Sequence, residues 1–136
     1  GGATLLSYGV GYSQSSGMDD RWALIQDRLR DGLPPTHLAF LKSLEPGHIE
    51  GGYLFVHAGI KPGVALEKQE LMDMLWIRDD FLKSNTDHGF CVVHGHTVSD
   101  EPVFLANRIG IDTGAYSSGK LTCLVLEGQA RRVIQT

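Results

Sequence analysis

The order of segments along this chain predicts an α/β (α+β) layered domain. Two stretches with apolar residues at three- and four-residue spacing come first, within residues 20–44. Two short runs that are apolar on both faces follow, at 53–56 and 90–93, and strands of that kind need layers on either side. Four further strand-length runs close the chain from residue 103, each bounded by turn-forming residues. Helices, then buried strands, then paired strands ask for a second sheet on which the late strands can pack.

Residues 4–8 form a short, apolar, helical-looking stretch, and the Gly- and Ser-rich segment 9–17 reads as a loop. Asp19 or Asp20 can cap a helix over 20–31, whose inner face carries Trp22, Ile25 and Leu29, and Gly32 stops it. Pro35-Thr36 opens a second helix with Leu38, Leu41 and Leu44 on one side, ended by Pro46-Gly47. Together they read as a helical hairpin packed on another layer. Ile49 to His57 reads as a strand pair, or as one strand broken at Gly51-Gly52. A helix is expected over 67–76, with Leu71, Met74 and Leu75 facing inward. The runs 103–106, 108–112, 121–127 and 130–135 are spaced as an antiparallel meander, with turns at Asn107, at 114–119 and at Gly128-Gln129. No internal repeat or linker breaks the 136 residues, which suit one domain.

Composition excludes several functions. The chain is 42% apolar and 21% charged with a formal net charge of −4, which argues against nucleic acid or an anionic membrane as partner. The longest apolar runs span five or six residues, against about 20 for a membrane helix. Both cysteines, Cys91 and Cys123, lie in apolar strand-like runs, so buried free thiols and a reducing, cytoplasmic setting are expected.

The chemistry concentrates at two histidines. FVHAGI (55–60) and VVHGHT (92–97) each bring an apolar strand to an end near one, at His57 and His96. In open α/β sheets ligands collect at the C-terminal ends of strands. Neutral imidazole suits Zn²⁺, Mn²⁺ or Fe, so two such strand ends side by side can share a cation. Each histidine alone reads better as a half-buried, hydrogen-bonded side chain; together, in two strand-end Gly-containing turns, the two readings balance. His37, His48 and His88 sit in helical or loop contexts and read as solvent-facing.

The succession FVHAGI, LWIRDDFL (75–82), VVHGHT and RIGIDTGAYSSGKLTCLVLEG (108–128) resembles the C-terminal half of the phosphoprotein phosphatases, within the calcineurin-like metallophosphoesterases. It is most similar to bacterial serine/threonine phosphatases of the phage-lambda type. GGATLLSYG (1–9) resembles a segment these enzymes carry after their third motif, so the likeness spans most of residues 1–128. The resemblance implies the C-terminal part of a four-layer α/β/β/α sandwich. It also implies two divalent metals, Mn with Fe or Zn as alternatives, and in-line attack on phosphorus by a bridging hydroxide. On it, His57 and His96 ligate the second metal and Arg78 holds the substrate phosphate. Arg78 has a physical case of its own, since a guanidinium fork pairs two phosphate oxygens and stabilises transition-state charge. The plainer reading of Arg78 is an ion pair with Asp79, Asp80 or Glu101. His94 matches no ligand position and is expected behind the ligands or bonded to backbone. Asp112 reads as structural, beside the site.

The first three motifs of that family, Asp-any-His, Gly-Asp-any-any-Asp-Arg-Gly and Gly-Asn-His-Glu, do not occur in this sequence. They supply the bridging carboxylate, the ligands of the first metal and the acid for the leaving group. Two histidines fall short of the three protein ligands that a catalytic metal needs. The expectation is therefore the C-terminal portion of one domain, partnered by its own N-terminal half, acting on a phosphoprotein or small phosphoester, and inactive alone. The alternatives are a symmetrical diadenosine tetraphosphate hydrolase and a non-catalytic binding module of the same fold.

Overall fold

A computed structural model describes residues 2–11 and 18–136, which fall into two compact units divided between Leu44 and Glu45. The first unit holds α1 (Gly2–Ser7), α2 (Met18–Gly32) and α3 (Pro35–Ser43). Most of the 9–17 loop, and the side chains of Asp19 and Asp20 that would form the cap, lie outside the described residues. Val10 and Ile25 are buried here, while Leu29 is half-buried and Trp22 exposed, so the inner face of α2 is narrower than its spacing predicts. Leu38, Leu41 and Leu44 are likewise exposed. Gly32 ends α2 where a Cβ would lie 2.9 Å from the Tyr8 carbonyl oxygen. Tyr8 reaches across the unit, its hydroxyl 3.0 Å from His37 Nδ1.

The second unit is built on a five-stranded sheet of order β1-β2-β3-β5-β4. The strands are β1 (Gly47–Glu50), β2 (Tyr53–Val56), β3 (Cys91–His94), β4 (Val103–Phe104) and β5 (Arg108–Gly110). Of the two readings of 49–57, the hairpin is the one observed: β1 and β2 pair antiparallel around Gly51, whose φ is +55°. β2, β3 and β5 run parallel, with Phe55 opposite Val93 and Val93 opposite Ile109. The two-residue period of a strand sorts its side chains between two cores. Leu54 and Val92 face a layer with Ile60 and Phe81, flanked by Leu66, Ile77 and Leu82. Cys91, Val93 and Ile109 face the other way, toward Leu124. β3 is buried along its whole length, as its sequence predicts.

Leu124 belongs to a separate two-stranded antiparallel sheet, β6 (Thr122–Glu127) with β7 (Ala130–Gln135). The late strands therefore form no continuous meander. β5 pairs antiparallel with β4 and parallel with β3, and the chain then changes sheet through a short helical turn, α6 (Ala115–Ser118). Side chains lace that turn together: Thr113 Oγ1 lies 2.7 Å from the Lys120 carbonyl and 2.8 Å from Thr122 Oγ1, and Ser118 Oγ donates to the Thr113 carbonyl at 2.7 Å. The pleat also corrects one cysteine. Thr122 faces inward on β6, so its neighbour Cys123 is exposed, while Cys91 is buried; both thiols are free.

The helix expected over 67–76 divides into a 3-10 turn (Leu66–Lys68) and α4 (Leu71–Trp76). Gln69 causes the break, because its side-chain amide serves the loop instead: Oε1 accepts from Lys61 N at 2.8 Å, and Nε2 donates to the carbonyls of Lys61 and Val64 at 3.0 and 2.9 Å. Starting later turns α4, so Met74 is buried and Leu75 half-buried while Leu71 is exposed. α5 (Asp79–Leu82) is held at its end by buried Arg108, which donates to the carbonyls of Leu82 and Ser84 and to Asn107 Oδ1. Cations at that pole suit the helix dipole. Among the described residues no helix is long and apolar enough to cross a membrane.

Candidate metal and phosphate site

β2 and β3 are neighbouring parallel strands, and each ends at the same level. The ladder runs one step past them, with Gly95 N donating to the His57 carbonyl at 2.9 Å. His57 thus stands at the C-terminal end of one strand, and His96 follows two residues after the other. Thr97 N donates back to the Gly95 carbonyl at 2.7 Å, closing a three-residue γ-turn with His96 at its centre. His96 has φ +64°, the one positive value recorded for a residue other than glycine among the described residues. A left-handed backbone is costly for such a residue and is held here by the surrounding bonds.

The turn aims His96 at His57. His57 Nε2 and His96 Nδ1 are 3.2 Å apart, with ring centroids at 5.0 Å. Two nitrogens bound at ~2.1 Å to one cation stand ~3.0 Å apart on an octahedral edge and ~3.4 Å on a tetrahedral one. The observed spacing falls between the two. The same spacing serves a hydrogen bond when one ring carries the proton between them. Burial lowers the His96 pKa, with further lowering from Arg78 and His57, so the ring favours the neutral form that a cation requires. Its Nε2 is buried without a hydrogen-bond partner, and Trp76 packs edge-on against the ring at 5.5 Å. Two imidazoles fit a cation as part of its shell. Among the described residues no third His, Cys, Asp or Glu joins them to complete a group of three.

Arg78 sits between α4 and α5, and the loop after His57 fixes that segment twice. Ala58 N donates to the Met74 carbonyl at 2.9 Å. Gly59 packs on Phe81 so closely that a Cβ would lie 2.3 Å from the ring. Arg78 Nη1 donates to Thr97 Oγ1 at 3.0 Å and to the His96 carbonyl at 3.4 Å. The ion-pair reading fails for two of its three partners, since Asp79 takes Lys83 and Glu101 takes Lys120, each at 2.7 Å; among the described residues no ion pair with Asp80 is recorded. Trp76 and Arg78 line an open groove of about 420 Å³.

His94 lies apart from the pair. Its Nδ1 is 3.1 Å from the Gly95 carbonyl, Phe81 meets its ring edge-on at 5.1 Å, and burial lowers its pKa. It is bonded to backbone, one of the two expectations for it. Asp112 Oδ1 accepts from Gly114 N at 3.0 Å and so shapes the turn after β5, as a structural residue would. His37 and His48 are exposed as expected. His88 is not: it is half-buried between Phe81 and Phe90, its Nε2 has no partner, and burial lowers its pKa. Thr97 and Trp76 carry no signal in the sequence for the positions they take here.

No protein-family model matches the chain, and no curated protein matches it. Among solved structures, that of "a putative diadenosine tetraphosphatase" superposes with a TM-score of 0.59 at 16% identity, covering 80% of this chain and 60% of the other. The chain thus spans about 60% of that neighbour's length. At this identity the likeness is one of fold alone, a mixed α/β architecture.

Proposed function

We propose that this chain is the C-terminal part of a metal-dependent phosphoric monoester hydrolase, a serine/threonine protein phosphatase in particular. The supporting observation is the convergence at adjacent strand ends of His57 Nε2, His96 Nδ1 and, through the same turn, the Arg78 guanidinium. His57 and His96 would hold one of two divalent cations, manganese foremost, with iron or zinc as alternatives. Bound cations would activate the attacking water and neutralise charge on the phosphoryl oxygens. Arg78 would receive the phosphate, orient it for in-line displacement and take up charge as it grows on the equatorial oxygens. The other ligands and the acid for the leaving group would come from an N-terminal half carrying the three motifs that these 136 residues lack. Free thiols at Cys91 and Cys123 suit a reducing, cytoplasmic setting.

The test compares the 136-residue chain with the same chain joined to a segment bearing those motifs. With Mn²⁺, p-nitrophenyl phosphate hydrolysis is expected from the joined protein and not from the chain alone. His96→Ala is expected to abolish it. Turnover by the chain alone would refute the division of the site. Assay of the joined protein on a phosphoserine peptide and on diadenosine tetraphosphate reads the substrate class, with preference for the peptide expected.

A further inference from the structure

We propose that Thr97 is a positioning residue for Arg78, and that the γ-turn around His96 orders the phosphate-binding fork and the metal-binding imidazole together. The role assigned to the fork rests on the function proposed above. The ordering itself is a property of the fold.

Arg78 is exposed and precedes a four-residue helix as its N-cap, so nothing in its local sequence restrains its side chain. A long exposed arginine samples many rotamers, and a phosphate that binds it must order it first. Here Nη1 is already engaged, by the Thr97 hydroxyl at 3.0 Å and the His96 carbonyl at 3.4 Å. No described residue takes the Nε–Nη2 edge, which is a two-donor edge of the kind that pairs two phosphate oxygens. Holding one side of the fork in advance lowers the cost of binding at the other.

Both acceptors come from one turn. Gly95 and Thr97 close it at 2.7 Å, and its central residue has φ +64°. That backbone sends the His96 ring toward His57, its carbonyl toward Arg78 and the next hydroxyl to the same nitrogen. A valine at 97 would keep the shape of threonine and lose the acceptor; a serine would keep the acceptor.

The test needs no turnover. ¹⁵N relaxation of the arginine Nε–Hε groups is measured on the 136-residue chain. In the wild type the Arg78 order parameter is expected above about 0.8, and in Thr97→Val below about 0.6, the ranges of rigid and flexible groups. Thr97→Ser is expected to retain the wild-type value. Arg108, held by other carbonyls, serves as the internal reference and should not change. An Arg78 group equally ordered in wild type and Thr97→Val overturns the proposal, as does equal loss of order in the serine variant. Should the valine variant fail to fold, as the Arg108 signal would show, Thr97→Ala is read by the same criterion. The readout is independent of phosphatase activity, so the role of Thr97 is tested even in a chain that hydrolyses no phosphoester.

Discussion

Gly59 and Phe81 are packed so that no larger residue fits at 59: a Cβ would stand 2.3 Å from the Phe81 Cδ1 atom. Phe81 is fully buried and cannot swing aside, and Gly59 itself has φ +152°. This contact joins the loop that follows His57 to the helix that follows Arg78.

Gly59→Ala is accordingly expected to destabilise the second unit by about 3 kcal/mol, from overpacking together with backbone strain. A shift in the urea midpoint measures it. A variant within about 0.5 kcal/mol of wild type would mean that α5 can move away, contrary to the packing described.

Arg108→Met should be costly for a different reason. The methionine thioether fills part of the space over Phe81 but leaves the Leu82 carbonyl and Asn107 Oδ1 without this donor, and the Ser84 carbonyl with the Asn107 amide alone. Part-buried acceptors that lose this donor predict a loss of about 1–3 kcal/mol, seen as a lower urea midpoint. Arg108→Lys, with one nitrogen for three acceptors, should fall between methionine and wild type.

Acid should weaken the fold before its carboxylates titrate. Burial lowers the pKa of both His88 and His94 in the folded chain. The unfolded chain, with histidines near ~6.5, then binds more protons below that pH, so stability is full above it and declines as pH falls toward the folded values. The urea midpoint is expected to drop between about pH 7 and pH 5. His88→Phe, which keeps an aromatic ring between Phe81 and Phe90, should flatten part of that slope.

Trp76 gives an optical readout of the histidine pair, since its ring lies 5.5 Å from that of His96. In a Trp22→Phe background, Mn²⁺ should quench its fluorescence, and His57→Ala or His96→Ala should abolish the effect. With two protein ligands the affinity should be weak, and quenching that survives both substitutions would place the cation elsewhere.

The two thiols should separate cleanly. Cys123 is exposed, whereas Cys91 is buried with its pKa raised by burial. A thiol reagent is expected to modify one cysteine in the native chain and the second on unfolding.

What the sequence reveals of this fold follows from pattern, and what it hides follows from tertiary choice. β2 and β3 are legible because Leu54, Val92 and their neighbours are apolar on both faces, and His57 and His96 because they lie at or just past the ends of those runs. The turn that makes the histidines meet is not legible, since no residue type announces φ +64° at a histidine. The interruption at Gln69 is hidden for a similar reason: glutamine favours helix, and only the nearby Lys61 and Val64 carbonyls draw its amide away. Spacing also gives no account of which sheet a strand joins, so β5 and β6 read as consecutive neighbours although they lie in different sheets.

Gln69 has a consequence for how this part of the chain can vary. Its amide clamps the backbone N–H and carbonyl of Lys61, with the Val64 carbonyl, and so closes the segment between them into a ring. Residues 62–68 therefore form an excursion with both feet fixed, joining the histidine strand to the helix of Trp76. Recoding its exposed positions Glu67 and Lys68, which spares the Val64 carbonyl and the Leu66 side chain, should leave both feet where they stand, which makes them the natural place to attach a label without disturbing the chemistry on either side.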